Sequence, residues 1–156
     1  MSSATRGSPG QDFEVLLSGG PSAGFEARQA ILAGDGSLTP DVREDVLLLV
    51  TELVTNAVRH APVGPDQSLR VAFQIRDLRV RVEVADPGTQ YEPAPPSYHP
   101  DGSGGWGLVL VDRIADHWGV ERIRGGTSVW FEIELGQSAA GPPPSTPAHP
   151  AQRRRN

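Results

Sequence analysis

The spacing of apolar side chains predicts where the chain forms helices. From residue 40 to about Ala61, apolar residues recur at intervals of three and four, which is typical of a helix with one buried face. Thr39 has the residue type of an N-cap, and Pro40 suits the first helical position. Two shorter helices are predicted for SAGFEARQAILAG, residues 22–34, and for LVLVDRIADHW, residues 108–118.

Other segments have the alternation or composition of strands. LRVAFQI and RVRVEVA alternate apolar and polar side chains across a short link at residues 76–78, which predicts an antiparallel hairpin. FEVLL reads as a short strand, and GVERIR and TSVWFEIEL as a closing strand pair. Because strands and helices are grouped rather than alternating, we expect an α+β two-layer sandwich, with helices covering one face of a mostly antiparallel sheet.

The two ends of the chain differ in composition from the segment between them. Residues 1–11 and 137–156 are rich in Pro, Ser, Ala and Gly and have few apolar groups, so we expect both to be disordered. The remaining residues, 12–136, form one predicted domain. The basic end, Arg153–Arg155, either contacts an acidic surface or is simply solvated, and the sequence favours solvation.

Composition removes several functional classes. The 156 residues contain no Cys and no Lys, which excludes disulfides, thiol chemistry, a Walker-A lysine and a Schiff-base lysine. The formal charge is −5, and residues 1–152 carry −8, so direct nucleic-acid binding is not expected. Because no apolar run has membrane-spanning length and residues 1–13 contain no signal-peptide core, we expect a cytoplasmic protein that does not enter the membrane.

Three polar residues follow the edge of the apolar face of the long helix. At about 100° per residue, Glu52, Asn56 and Arg59 line up beside that face, and His60 turns back toward it. The row is either a solvated surface or the rim of a pocket. An amide oxygen one turn beyond a carboxylate suits a pocket in which a hard cation holds an anion and the carboxylate orients a hydroxyl or water.

Two further stretches are candidates for the same pocket. In VEVADPG, Asp86 ends a strand, where its carboxylate either initiates a turn or accepts a hydrogen bond from the exocyclic amine of a base. In DGSGGWGL, four glycines precede a helix, where free backbone N–H groups and the helix dipole attract phosphate; the alternative is a flexible linker.

Two other motifs match enzyme patterns but lack their context. GPSAG, residues 20–24, matches the nucleophile elbow of serine hydrolases, but only one strand precedes it. GSGGWG, residues 102–107, matches a dinucleotide-binding fingerprint, but it follows a Pro-rich loop and lies outside any parallel βαβ unit. Neither motif changes the pocket hypothesis.

Four motifs resemble those of the GHKL superfamily, the ATPases of gyrase, heat-shock chaperones, histidine kinases and mismatch-repair proteins. ELVTNAVRHA resembles the N box, VADPG the G1 box and GGWGL the G2 box, and GGTSVWFEI resembles the strand that follows. Their order covers residues 13–135. Within the superfamily, the chain is most similar to bacterial anti-sigma-factor serine/threonine kinases, which implies the Bergerat ATP-binding fold.

The resemblance implies ATP and Mg²⁺ as ligands and gives the polar residues roles. Asn56 would ligate Mg²⁺ that bridges the ATP phosphates, and Glu52 would be the catalytic base. Arg59 would contact phosphate, while Asp86 would bind the adenine amine with the help of Thr127. The other implied nucleotide contacts are His60, Gly88, Gly105, Trp106, Gly107 and Leu108.

The resemblance also implies partners. Arg28 lies in the helix that related anti-sigma factors use to bind a sigma factor or an antagonist protein, and relatives often form homodimers. Two departures from the family pattern concern the lid: Gln90 replaces the last glycine of the G1 box, and Ser103 and Trp106 stand where anti-sigma kinases commonly have an arginine.

We therefore expect a protein serine/threonine kinase that phosphorylates an anti-sigma antagonist. An ATP-binding module that sequesters its partner without kinase activity is the main alternative. A regulator that has lost nucleotide binding is the third.

Overall fold

A computed structural model of the chain describes residues 4–6, 12–34, 38–60, 67–88, 106–123 and 125–136; of residues 4–6, 60, 106 and 107 only the backbone is described. Three helices and six strands lie in these ranges. The helices are α1 (Ala23–Gly34), α2 (Pro40–His60) and α3 (Trp106–Ile114), and the strands are β1 (Ala4–Arg6), β2 (Asp12–Ser18), β3 (Ser68–Arg76), β4 (Arg79–Asp86), β5 (His117–Ile123) and β6 (Gly126–Glu134).

The described strands form one antiparallel sheet in the order β1-β2-β3-β4-β6-β5. Helix α2 packs on β4 and β6, and α1 packs on β2 and on α2. Alternate side chains of each central strand are buried beneath the helices, as Leu69, Val71 and Phe73 are on β3. The predicted α+β two-layer sandwich is confirmed.

Helix α2 supplies most of the helical side of the core. Thr39 accepts the first helical hydrogen bond through its carbonyl oxygen, from the N–H of Arg43 at 2.9 Å, as expected of an N-cap residue. The buried residues of α2 recur at helical spacing and include Val46, Val50 and Leu53. Their stripe faces the sheet, which leaves the polar row predicted from the sequence at its edge.

The other face of the sheet, which we call the open face, is covered by paired charges instead of a helix in the part of the chain that the structure describes. Arg70 bridges Glu14 at 3.1 Å and Glu83 at 2.6 Å across three strands. The guanidinium of Arg81 lies 3.9 Å from the centre of the Trp130 ring. Such half-exposed ion pairs each add little to stability, so the helix-covered face carries most of the packing energy.

The third helix is shorter than predicted. Its apolar spacing predicts a helix as far as Trp118, but α3 ends at Ile114, and His117 and Trp118 begin β5. Asp116 explains the difference, because its N–H donates to the carbonyl oxygen of Glu132 at 3.0 Å and its carboxylate accepts the N–H of Glu134 at 2.7 Å. Bonding to β6 therefore ends a helix whose apolar spacing alone would have continued.

The strand β1 was not predicted. Its three residues lie within residues 1–11, for which the composition predicts disorder, and they pair with residues 13–15 of β2. Three residues are too few to show an alternating pattern. The boundaries of the predicted domain at residues 12 and 136 remain predictions.

No helix in the described ranges combines the length and the apolar composition that crossing a membrane requires. Helix α2 reaches 21 residues but carries charged side chains along its length.

Candidate nucleotide-binding site

A cavity lies where the C-terminal half of α2 and the first turns of α3 meet the paired ends of β4 and β6. It is lined by Leu53, Asn56, Ala57, Val84, Asp86, Leu108, Thr127 and Val129. Its volume is about 30 Å³. We call it the α2–β4–β6 pocket.

Two larger depressions, of about 370 and 340 Å³, lie on the open face. Their charged linings are engaged with each other, as in the pairs Arg70–Glu83 and Arg81–Glu132 at 2.6 and 3.0 Å. The smaller α2–β4–β6 pocket has apolar walls and a few convergent polar groups, which is the usual composition of a ligand site. It is therefore the candidate functional site.

The sheet places Asp86 and Thr127 side by side in this pocket. Asp86 is the last residue of β4 and pairs directly with Thr127 of β6. The two residues are 6% and 3% exposed. The Oδ1 atom of Asp86 accepts the N–H of Gly88 at 3.2 Å. A carboxylate this well buried is costly unless polar hydrogens reach it, and its position at the end of a strand lets a ligand supply one.

Helix α2 brings Asn56 to the same pocket between two apolar residues. Leu53 and Ala57 lie about one turn apart and line the pocket with it. Glu52 is half-buried and lies one turn before Asn56, but it is not among the lining residues, and Arg59 is exposed. The predicted polar row is thus divided: Asn56 lines the pocket, while Glu52 and Arg59 do not.

The remaining predicted contacts fall into three groups. Leu108 is buried in the pocket wall, and the backbone of Trp106 and Gly107 forms the first turn of α3. Gly88 adjoins Asp86 with a φ of 139°, a conformation that favours glycine. The side chains of His60 and Trp106 are not described, and Gly105, Gln90 and Ser103 lie outside the described residues.

Arg28, the predicted partner-binding residue, is half-buried between the two long helices. Its Nη1 atom donates to the carbonyl oxygen of Leu47 at 3.2 Å, which ties α1 to α2. This contact gives Arg28 a structural role beside the predicted one.

The apolar walls of the pocket are not among the site residues predicted from the sequence. Val84 lies two residues before Asp86, and Val129 two residues after Thr127, so each shares a sheet face with its polar neighbour. On α2, Leu53 and Ala57 flank Asn56 at helical spacing. Once the polar residues are placed in one pocket, the same periodicity that predicts the strands and the helix also predicts which apolar residues lie beside them.

The architecture is that of an α+β domain in which helices cover one face of an antiparallel sheet. A family model described as the histidine kinase-like ATPase domain matches residues 25–133, which is most of the chain. The chain therefore belongs to the histidine kinase-like ATPase family, which confirms the predicted resemblance to the GHKL superfamily.

A solved structure from Mycobacterium tuberculosis shares the fold. The RsbU and RsbW domains of Rv1364c from Mycobacterium tuberculosis match with a TM-score of 0.63 and 23% identity over 84% of this chain. The chain spans 34% of that mycobacterial chain. The histidine kinase domain of the blue-light activated kinase EL346 from Erythrobacter litoralis matches with a TM-score of 0.46 and 22% identity, covering 73% of this chain and 60% of that one. A comparison with curated proteins finds no match.

Proposed function

We propose that this chain binds ATP with Mg²⁺ in the α2–β4–β6 pocket and acts as an anti-sigma-factor serine/threonine kinase that phosphorylates an antagonist protein. The observation that carries the proposal is the convergence of Asn56, Asp86 and Thr127 on one pocket. These residues are far apart in the sequence and supply an amide, a carboxylate and a hydroxyl to a cavity with otherwise apolar walls.

The sheet side of the pocket suits the adenine ring. The Asp86 carboxylate accepts a hydrogen bond from an exocyclic amine, and a charged acceptor makes this bond stronger than one between neutral groups. Val84 and Val129 supply apolar surface for the ring faces. The hydroxyl of Thr127 lies next to Asp86 in the ladder and supplements the contact.

The helical side suits the phosphates and their metal ion. Asn56 presents an amide oxygen, and no group of three His, Cys, Asp or Glu side chains converges to hold a metal ion within the described ranges. This donor set fits Mg²⁺, which usually takes few protein ligands and completes its shell with phosphate oxygens and water. Bound Mg²⁺ would neutralise charge on the transferring phosphoryl group. The first turn of α3 offers N–H groups to the same phosphates, and Arg59 adds a positive charge.

Glu52 is the proposed general base. It lies one helical turn before Asn56 and is half-buried. We propose that its carboxylate faces the phosphate end of the pocket and is open to a protein substrate. As the serine oxygen forms its bond to the γ-phosphorus and the bond to the ADP oxygen breaks, Glu52 takes the hydroxyl proton. The products are phosphoserine and ADP.

The outer surface of α1 suits a protein partner. Phe25 is 65% exposed and Leu32 44% exposed on α1, and Leu48 of α2 is 39% exposed. Large exposed apolar side chains beside Arg28 are typical of a contact surface. We propose that a sigma factor or its antagonist docks there in the cytoplasm, and that the protein acts as a homodimer.

A second function has a specific observation in its favour. The segment DGSGGWG contains no arginine or lysine, so its side chains bring no positive charge to the γ-phosphate. In this case the protein sequesters its partner and ATP serves only as a conformational ligand.

Transfer of labelled γ-phosphate to a purified antagonist separates the two functions. We expect Glu52→Ala to bind ATP within a few-fold of the unmodified protein and to transfer phosphate about 10²–10⁴ times more slowly. Glu44→Ala removes the same charge from an exposed position on α2 and serves as the matched control, with no change expected. ATP binding without any transfer by the unmodified protein would favour the sequestering function, and absence of ATP binding would reject both.

A further inference from the structure

The end of β4 and the beginning of β6 approach each other more closely than side chains allow. A Cβ atom added at Gly126 would overlap the carbonyl oxygen of Asp86. It would also lie 3.0 Å from the carbonyl carbon of Asp86 and 3.0 Å from the nitrogen of Gly88. All three neighbours are backbone atoms, so no side chain can rotate away to make room.

The adjacent Gly125 is a glycine for a different reason. Its φ of 91° is one that other residues rarely adopt, yet a Cβ there would meet no atom within 4 Å. The φ of Gly126 is not in this range, but there is no space for a Cβ atom at this position. The two neighbouring glycines therefore satisfy separate requirements, one of torsion and one of close approach to Asp86.

We propose that Gly126 is a positioning residue of the base pocket: the absence of a side chain there lets the Asp86 backbone lie against β6, which sets its carboxylate beside Thr127. The inference rests on the proposed ATP site. It assigns to Gly126 a role in selecting a base that carries an exocyclic amine, without any contact between Gly126 and the ligand.

The connection between the two residues is short. The carbonyl and the carboxylate of Asp86 belong to one residue, and the N–H of Gly88 bonds to Oδ1 of that carboxylate. A methyl group at residue 126 must push the Asp86 carbonyl and the Gly88 nitrogen outward together. A displacement of about 1 Å takes a hydrogen bond out of its effective range, and shifts of this size can cost about a hundredfold in function.

The test compares ATP with purine riboside triphosphate, which lacks the exocyclic amine, on the full chain with Mg²⁺. For the unmodified protein we expect ATP to bind about tenfold to a hundredfold more tightly, the usual value of a hydrogen bond to a charged group. For Gly126→Ala we expect that ratio to fall below about threefold, because Asp86 no longer meets the amine.

Gly119→Ala is the matched control. Gly119 lies on β5, and an added Cβ would come within 2.8 Å of the Trp130 ring on the open face. This variant introduces a clash in the same sheet, with a side chain instead of backbone atoms and away from the pocket. We expect it to lose stability and to keep the ratio of the unmodified protein.

A second measurement excludes a general loss of structure. If Gly126 acts through Asp86, Gly126→Ala should cost no further ATP affinity once Asp86→Ala has removed the carboxylate. An added loss in that background would overturn the inference, as would an unchanged ATP preference in Gly126→Ala itself.

Folding of the variant is also decisive. If Gly126→Ala alone does not fold, the same change is made together with Leu78→Gly, which relieves strain at the other end of β4. Failure to fold in both backgrounds would overturn the inference, because Gly126 would then be needed for folding and not for selection of the nucleotide base. Absence of ATP binding by the unmodified protein would instead reject the proposed function on which the inference rests.

Discussion

At its Asp86 end, β4 continues into the bend at Pro87–Gly88, and at its other end it follows the two-residue turn Asp77–Leu78. Beside Asp86, the positive φ angles fall on Gly88 at 139° and on Gly125 at 91°. At the hairpin, Asp77 and Leu78 adopt φ angles of 50° and 60° without a glycine. The pocket end is thus formed from residues suited to their conformation, while the hairpin end is strained.

This difference separates the strained residues from the proposed ATP site along the same strand. Backbone strain is often found at active sites, but here the strained residues lie at the end of the hairpin remote from the pocket. The hairpin end is stabilised by a hydrogen bond of 2.6 Å from the N–H of Leu135 to the carbonyl oxygen of Leu78. Changes at the two ends should therefore affect different properties, ATP binding at one and stability at the other.

The largest effect is expected at the pocket end of α2. Asn56→Ala should weaken binding of ATP in the presence of Mg²⁺ by at least about tenfold, because even loss of a group that only orients a metal ligand costs that much. Titration in EDTA is the control, and there the variant and the unmodified protein should bind equally. An equal loss of ATP affinity with and without Mg²⁺ would show that Asn56 does not act by binding the metal ion.

The next effect is expected at the hairpin end. Leu78→Gly should raise the free energy of unfolding by about 0.5–1 kcal/mol, since the relief of a left-handed conformation exceeds the entropy cost of glycine. Leu78 is 73% exposed, so little burial is lost. Leu78→Ala, which keeps the strain, should show no such gain in urea denaturation, and both variants should bind ATP normally. A change in ATP affinity would show that the two ends are coupled.

A smaller effect is expected in the N-terminal half of α2, outside the pocket. Burial, and then the charges of Asp41 and Glu44, raise the pKa of Asp45 above its ordinary 3.8. The folded state thus holds this proton more tightly, and stability is lost as the pH rises through the raised pKa. Asp45→Asn should therefore increase the melting temperature at neutral pH and leave it unchanged near pH 3. A gain of the same size at both pH values would exclude ionisation of Asp45 as the cause.

No effect is expected from residues 137–156, which follow β6 in the sequence. Removing residues 137–156 should change neither the melting temperature nor the affinity for ATP, since the alternating apolar pattern of β6 stops at Leu135. A protein truncated after Gly136 tests this directly. Lower stability of the truncated protein would show that the segment packs on the domain.

Elements that are determined by local periodicity could be predicted from the sequence, and features that depend on contacts between distant residues could not. The long helix, the β3–β4 hairpin and β6 follow from periodicity, because each buries one regular face. The end of α3 did not, because it depends on hydrogen bonds between Asp116 and β6. In the same way, the need for space at Gly126 arises from Asp86, and neither residue indicates it alone.

The polar residues of the pocket were easier to predict than the apolar residues that form its walls. Asp86 and Asn56 stand out because polar residues at those places are costly without a role. Val84 and Val129 do not stand out, because valine on a strand is ordinary. The location of the pocket could therefore be predicted from the sequence, while its shape required the pairing of β4 with β6.

The most direct test of the central claim is a calorimetric titration of the full chain with ATP and Mg²⁺, repeated with Asp86→Asn. We predict one saturable site in the unmodified protein, and an affinity lower by about tenfold to a hundredfold in a variant that remains folded, because the amide does not replace the charged acceptor. Absence of saturable binding, or an equal affinity in folded Asp86→Asn, would contradict the assignment of the α2–β4–β6 pocket as the ATP site.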